Sequence, residues 1–207
     1  MVTEQIEARG ISDPLTLGAL GKVPRQGFVA ARQAGEAYAD CPLSIGHEQT
    51  ISQPYIVAFM TEALGLRPGQ TVLEVGTGSG YQAAVLAEIA ARVYTIEIVG
   101  VLAAEARERL LRLGYLNVDV RAGDGYLGWP ETAPFDAIIV AAAAPRVPEP
   151  LRAQLKDGAR LVVPIGAEME AQELLVVTRR GACFDERRVL PVRFVPMTGA
   201  IRDRTVL

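Results

Sequence analysis

The run Glu74-Val75-Gly76-Thr77-Gly78-Ser79-Gly80 follows the apolar stretch Thr71-Val72-Leu73 without a break, and a helical pattern opens at Tyr81. A strand that ends in a glycine-rich turn at a helix start exposes backbone N–H groups against which a nucleotide-like ligand can pack. Two further acids stand where such a ligand would need them. Glu97 lies 21 residues beyond Gly76 and closes the next apolar run; a carboxylate there suits the two hydroxyls of a ribose. Asp124, within Gly123-Asp124-Gly125, can accept a hydrogen bond from an adenine amino group. Each signal alone has a plain structural reading, as a tight connection or a helix-start acid. Their coincidence at three consecutive strand ends points to an adenosine-containing ligand.

These residues need a scaffold that brings successive strand ends together. From Thr71 onward, residues 72–75, 93–96, 118–121, 135–141 and 160–164 read as strands, and 81–91, 99–113 and 148–155 as helices. That alternation predicts an α/β fold, a doubly wound, mostly parallel sheet covered on both faces. Residues 173–178 and 189–195, separated by Arg179-Arg180-Gly181 with no helix between them, predict an antiparallel pair at the sheet edge. Upstream, 15–20 and 24–34 look helical, 42–54 reads as a polar loop, and Pro54 can open a helix through Leu64. In that setting Ser52 also reads as a helix N-cap. The expected organisation is one domain over 1–207: N-terminal helices and a loop to residue 70, a ligand-binding core over 71–165, and C-terminal strands over 166–207.

Half of the 207 residues are apolar and the formal net charge is −3. A dedicated nucleic-acid binder needs an excess of Lys and Arg. Arg107, Arg109 and Arg112 are interleaved with Glu105 and Glu108, the pattern of a solvated helix face. The longest strongly apolar stretch, 137–144, is too short to cross a bilayer, and Met1-Val2-Thr3-Glu4-Gln5 lacks the features of an export signal. Cys41 and Cys183 have no metal-ligand spacing and His47 is the only histidine, so no metal site is expected. The thiols read as free, small buried hydrophobes in a reducing compartment. Trp129 reads as packing beneath the turn at 128–130. The reading is of a cytoplasmic monomer without an obligate protein partner, nucleic acid or membrane.

Two cofactors share this layout of a glycine turn and two acids. A dinucleotide fold uses G-x-G-x-x-G, whose third glycine would fall on Tyr81. Here the glycines fall as G-x-G-x-G behind Glu74. This E-x-G-x-G-x-G pattern resembles motif I of class I S-adenosylmethionine-dependent methyltransferases, which have a Rossmann-like fold; the spacing favours the methyl donor over a dinucleotide. Base-amine methyltransferases carry an Asn/Asp-Pro-Pro-aromatic motif after the fourth strand, where this chain has Val140-Ala141-Ala142-Ala143-Ala144-Pro145. Cytosine-C5 enzymes need Pro-Cys, and Cys41-Pro42 is the reverse order.

The upstream loop adds specificity. Together with Val23-Pro24-Arg25 and Phe28, Gly123-Asp124-Gly125, Pro134-Phe135-Asp136 and Val192-Arg193-Phe194-Val195-Pro196, the loop Gln49-Thr50-Ile51-Ser52-Gln53-Pro54 resembles the protein-L-isoaspartate O-methyltransferase family. The resemblance runs from about Leu17 to Thr198. It implies methyl transfer from S-adenosyl-L-methionine, leaving S-adenosyl-L-homocysteine, to isoaspartyl carboxylates in damaged proteins and peptides. It implies that Ser52 is the active-site hydroxyl and that Gln49, Thr50, Ile51 and Ser52 close over cofactor and substrate. Gly76, Gly78 and Gly80 would meet the methionine part of the donor, Glu97 the ribose, and Asp124 with Gly125 the adenine. Glu74, Thr77, Ser79, Ile98 and Thr198 complete the implied cofactor set, and Ile51, Ser52, Pro54, Ala142 and Val195 the substrate set. Another carboxyl or small-molecule O-methyltransferase is the neighbouring reading. Two positions depart from the family: Glu48 stands where Gly or Asn is usual, and Ala141 where Thr or Gly is.

The chemistry matches the residues. A carboxylate with a pKa near 4 is already ionised at neutral pH and needs no general base. Strong motifs without a histidine–carboxylate pair therefore suit carboxylate methylation, with catalysis supplied mainly by proximity and alignment.

Overall fold

The computed structural model describes residues 1–166 and 171–203. Within the C-terminal section 166–207, residues 167–170 and 204–207 lie outside this description. The chain opens through α1 (Pro14–Lys22), capped by Asp13, whose side chain accepts from the Thr16 N–H. α1 stops before Pro24, since the preceding Val23 is held extended. Beyond it, Arg25–Phe28 and Ala31–Glu36 form two short 3₁₀ turns rather than the one helix expected over 24–34.

The segment expected to be a loop at 42–54 is a β-hairpin, β1 (Leu43–Gly46) against antiparallel β2 (Gln49–Ile51). Its turn places His47 at φ 50° and Glu48 at φ 58°, the left-handed region in which Gly and Asn are at ease. Polar composition hides a strand pair whose buried anchors are Leu43 and Ile51, with half-buried Ile45 packed beside them. α2 (Pro54–Leu64) follows, with Pro at its first position and Gly65 in the left-handed conformation closing it. Its N-cap is Gln53 with no side-chain cap bond, so Ser52 is not the cap.

The remaining elements build one seven-stranded sheet. In chain order they are β3 (Thr71–Val75), α3 (Tyr81–Ala87), β4 (Arg92–Glu97), α4 (Gly100–Arg112), β5 (Val118–Ala122), β6 (Phe135–Val140), α5 (Glu149–Ala153) and β7 (Leu155–Ile165). β8 (Gln172–Arg180), β9 (Cys183–Val192) and α6 (Ala200–Asp203) complete it. The strand order is β5-β4-β3-β6-β7-β8-β9, parallel through β7 and antiparallel for the last two pairs. The doubly wound expectation and the antiparallel edge pair are both found. β9 starts at Cys183, well before the expected 189, because Cys183–Arg188 is a charged edge-strand segment. α3 ends at Ala87 rather than at 91, since the Ala91 N–H is taken by Gln70 O.

Alternate residues of each central strand enter opposite cores. Val72, Val93, Ala137, Ile139 and Val162 pack on the side of α1, α2 and α3. Leu73, Val75, Ile96, Ile138, Val140, Leu161 and Val163 pack on Tyr126, Trp129 and Leu151. Trp129 lies edge-on to Tyr94, with the Arg121 guanidinium 3.8 Å from its ring centre. Cys41 and Cys183 are exposed free thiols, against the buried expectation; one sits at a turn and the other at the solvent side of the edge strand.

Strand order reverses between β3 and β6, which opens a crevice at their carboxyl ends. The segment after β9 closes one wall of it. Buried Gln172 imitates a strand partner for this segment: its Nε2 donates to Phe194 O (3.1 Å) and its Oε1 accepts from Phe194 N (2.6 Å). The Ala143 N–H then donates to Val195 O and the Met197 N–H to Ala143 O. Gln172→Ala should therefore cost about 1–3 kcal/mol, the penalty for unpaired buried backbone groups. Denaturant titration with hydrogen exchange at Phe194 checks this. An unchanged midpoint with unchanged Phe194 protection contradicts the clamp.

Candidate active site

A cavity of about 670 Å³ occupies the crevice, within the range of small-molecule sites. One wall is the glycine turn. The Gly76 N–H donates to Ile96 O (2.8 Å) and the Gly80 N–H to Thr77 O (2.8 Å), so the chain folds back over the end of β4. The three glycines answer three different demands. A Cβ on Gly76, at φ 97°, would stand 3.4 Å from Ala141 Cβ, across the switch point. One on Gly78, at φ 52°, would meet Ile45 of the hairpin at 3.3 Å. One on Gly80, at φ 87°, would meet Leu110 of α4 at 3.3 Å.

Glu97 closes one side of the cavity. Its Oε2 accepts from the Gly78 N–H (2.8 Å) and its Oε1 from the Val99 N–H (2.9 Å). Each oxygen keeps a lone-pair direction for another donor, so the residue fits a diol while also fixing the turn. Glu74 lies beneath this arrangement, fully buried. Thr95 Oγ1 donates to Glu74 Oε2 (2.6 Å) and lies 2.6 Å from Thr77 Oγ1, a polar chain from the sheet interior to the cavity wall. Burial first, and the charge of Glu97 second, push the Glu74 carboxyl up to about 8 against the lowering bond from Thr95. It is therefore mostly protonated at neutral pH.

Of the residues singled out in the sequence, Gln49, Thr50, Ile51, Ser52, Gly76, Thr77, Gly78, Ser79, Glu97, Ile98, Gly125, Ala142, Val195 and Thr198 all line this cavity. Four do not. Glu74 is the buried support just described, and Gly80 faces α4. Pro54 is buried at the start of α2. Asp124 accepts from the backbone N–H groups of Tyr126 and Ala200, one on each oxygen, tying the start of α6 to the segment after β5. That tie demands glycine at 199, where a Cβ would fall 2.5 Å from the Asp124 carboxylate.

Sequence reasoning missed other lining residues, among them Ile56, Met60, Tyr81, Gln82, Val99 and Phe194. The helix residues read there only as core. It also gave no role to Arg25, whose side chain is fully buried behind the hairpin. Arg25 Nε donates to Ala37 O (2.7 Å) and Arg25 Nη2 to Ser52 O (2.7 Å), while the guanidinium stands 4.7 Å from the Tyr81 ring centre.

The chain matches the family model described as protein-L-isoaspartate(D-aspartate) O-methyltransferase over residues 1–202. It is 55% identical over 198 residues to a protein-L-isoaspartate O-methyltransferase of Gloeobacter violaceus, covering 96% of this chain and 97% of that one. It is 56% identical over 188 residues to protein-L-isoaspartate O-methyltransferase 2 of a Polaromonas species, covering 90% and 89%. A solved protein-L-isoaspartate O-methyltransferase superposes with a TM-score of 0.87 at 32% identity, over 94% of this chain and 64% of that one. A Plasmodium falciparum structure described as the same activity, in complex with S-adenosyl-L-homocysteine, gives 0.84 at 27% identity over 95% and 96%.

The raised Glu74 carboxyl sets a pH dependence. The folded state keeps a proton that the unfolded chain releases above about 4.5, so stability falls as pH rises from there to about 8 and then levels off. The loss is on the order of a few kcal/mol. Glu74→Gln should match the parent near pH 4.5 and exceed it in melting temperature near pH 8.5. Parallel melting curves against pH for the two proteins contradict the buried neutral acid.

Proposed function

The chain belongs to the protein-L-isoaspartate(D-aspartate) O-methyltransferase family, and from that premise we propose how its own residues perform the reaction. The activity is methyl transfer from S-adenosyl-L-methionine to the carboxylate of isoaspartyl residues in proteins, the first step of their repair. The observation that supports this assignment of parts is that Ser52 and the glycine turn line one cavity.

The donor supplies a methyl group already activated on a sulfonium. Gly76 and Gly78 offer unobstructed backbone beside it, Glu97 takes the ribose hydroxyls, and Gly125 gives the adenine a surface without a side chain. Ile51, Ala142 and Val195 form an apolar sleeve that excludes water from the acceptor. Ser52, at the hairpin's exit, donates its hydroxyl to one acceptor oxygen and leaves the other free for in-line attack. The acceptor is already ionised, so no proton has to be moved. Alignment carries the rate.

The same reading makes the chain a monomer in the cytoplasm, in keeping with two free, exposed thiols. Among the described residues no helix is long and apolar enough to cross a membrane.

An isoaspartyl peptide and its aspartyl twin separate this reading from a general carboxyl methyltransferase. Methyl incorporation should be confined to the isoaspartyl member, and equal incorporation overturns the substrate assignment. Ser52→Ala should lower kcat by about tenfold to a hundredfold, with affinity for S-adenosyl-L-homocysteine kept within about twofold. Parent-like turnover removes Ser52 from the chemistry.

A further inference from the structure

We propose that Arg25 is the positioning residue of this site: its guanidinium sets the peptide of Ser52, and through it the serine hydroxyl that meets the acceptor. The inference rests on the role given above to Ser52.

A fully buried arginine is costly unless its charge and its donors are used. Arg25 is the largest of the fully buried side chains, and its environment is unusual. Two of its nitrogens reach main-chain carbonyls far apart in sequence, Ala37 O and Ser52 O, each at 2.7 Å. The rigid planar fork therefore fixes the distance between the 3₁₀ segment and the hairpin's exit. Its third nitrogen, Nη1, is buried without a hydrogen-bond partner. The acid whose charge it feels, Asp40, is already engaged by Arg9, by Gln53 Nε2 and by the Tyr55 N–H. A group placed only to stabilise the fold would be expected to have its donors satisfied and its charge paired. Arg25 instead spends one of its two 2.7 Å bonds on the carbonyl of Ser52, the residue assigned above to the acceptor.

The surroundings restrict Ser52 in the same direction. Gln53, the next residue, is held by Asp40, and Asp40 is held by Arg9, whose guanidinium lies 3.5 Å from the Tyr55 ring centre. The Gln53 side chain, on the helix side of Ser52, is thus anchored independently. Ile51 on its other side is pinned in the core. The carbonyl of Ser52 is the remaining freedom, and Arg25 removes it. On the opposite face the guanidinium stacks on Tyr81, the first residue of α3 and itself part of the cavity wall. Arg25 therefore registers the acceptor wall against the donor wall.

A lysine is shorter and has no fork, so Arg25→Lys keeps a cation but cannot hold both carbonyls. The test is a double-mutant cycle of Arg25→Lys and Ser52→Ala, read as kcat with an isoaspartyl peptide, with S-adenosyl-L-homocysteine affinity measured by calorimetry. Arg25→Lys alone should lower kcat by about tenfold or more while cofactor affinity stays within about twofold. On the Ser52→Ala background the same change should cost less than about twofold, because a residue acting through Ser52 has nothing left to position. Additive losses overturn the proposal, as does parent-like kcat in Arg25→Lys, or a fall in cofactor affinity matching that in kcat. Parent-like kcat in Ser52→Ala strikes instead at the serine reading, so the two failures are told apart. Arg25→Met in the same cycle gives the same discrimination should the lysine variant not fold.

Discussion

Two strand ends have to be kept apart at their tips and joined at their backbones before anything can bind between them. The Glu97 carboxylate does both. By accepting from the Gly78 and Val99 N–H groups it bridges the turn after β3 to the start of α4. Backbone N–H groups at a turn and a helix start are donors that the fold itself leaves unmatched, and a carboxylate is the strongest side-chain acceptor available for them. The same residue still has acceptor capacity towards the cavity. In the role proposed for Glu97, turn geometry and ligand recognition are one interaction, and loss of either N–H would change both.

That arrangement is supported from below by groups whose burial is unfavourable in isolation. Glu74 sits on the sheet face shared with Val72, where an apolar residue would pack without penalty. Its retention as a neutral acid, linked through Thr95 to Thr77, gives the turn a directional polar contact that an aliphatic side chain cannot supply. Buried polar networks trade stability for a single geometry. Here the geometry concerned is that of the segment carrying Gly76 and Gly78. A turn held only by apolar packing could settle in several registers; one held by Glu74, Thr95, Thr77 and Glu97 has few.

The legibility of the chain follows the locality of its physics. Strands β3 and β6 announce themselves as apolar runs bounded by turns and buried on both faces, and β5 by the alternation of Val118 and Val120 with Asp119 and Arg121. The glycine turn and Glu97 are legible for a related reason: spacing along the chain fixes where successive strand ends fall. The hairpin was not legible, since a two-stranded element made of Leu43-Ser44-Ile45-Gly46 and Gln49-Thr50-Ile51 has too little alternation to distinguish it from a loop. The tie from Asp124 to Ala200, and the glycine it demands at 199, is not legible because these residues lie more than seventy positions from Asp124. Arg25 escaped for the same reason. Its bonds run to Ala37 and Ser52, and a lone arginine after a proline carries no sign that it will be buried. Where function depends on contacts distant in sequence, only the fold shows them.

The proposed reaction also favours a neutral donor over a cation at the acceptor. Methyl transfer brings an anion and a cation together and leaves two neutral products, so charge disappears along the reaction coordinate. An arginine bonded directly to the carboxylate would bind the reactant more tightly than the transition state and would slow the step. A hydroxyl can orient the acceptor oxygen at a smaller electrostatic cost. On the proposed assignment Ser52 is a neutral donor beside apolar Ile51, Ala142 and Val195, which line the same cavity, and the cation of Arg25 ends on the serine's carbonyl. Burying that cation costs stability, yet its rigid fork holds the hairpin's exit more firmly than a flexible or monodentate donor would. The site therefore obtains the ordering that a charged clamp provides without applying the charge to the atom that must give it up.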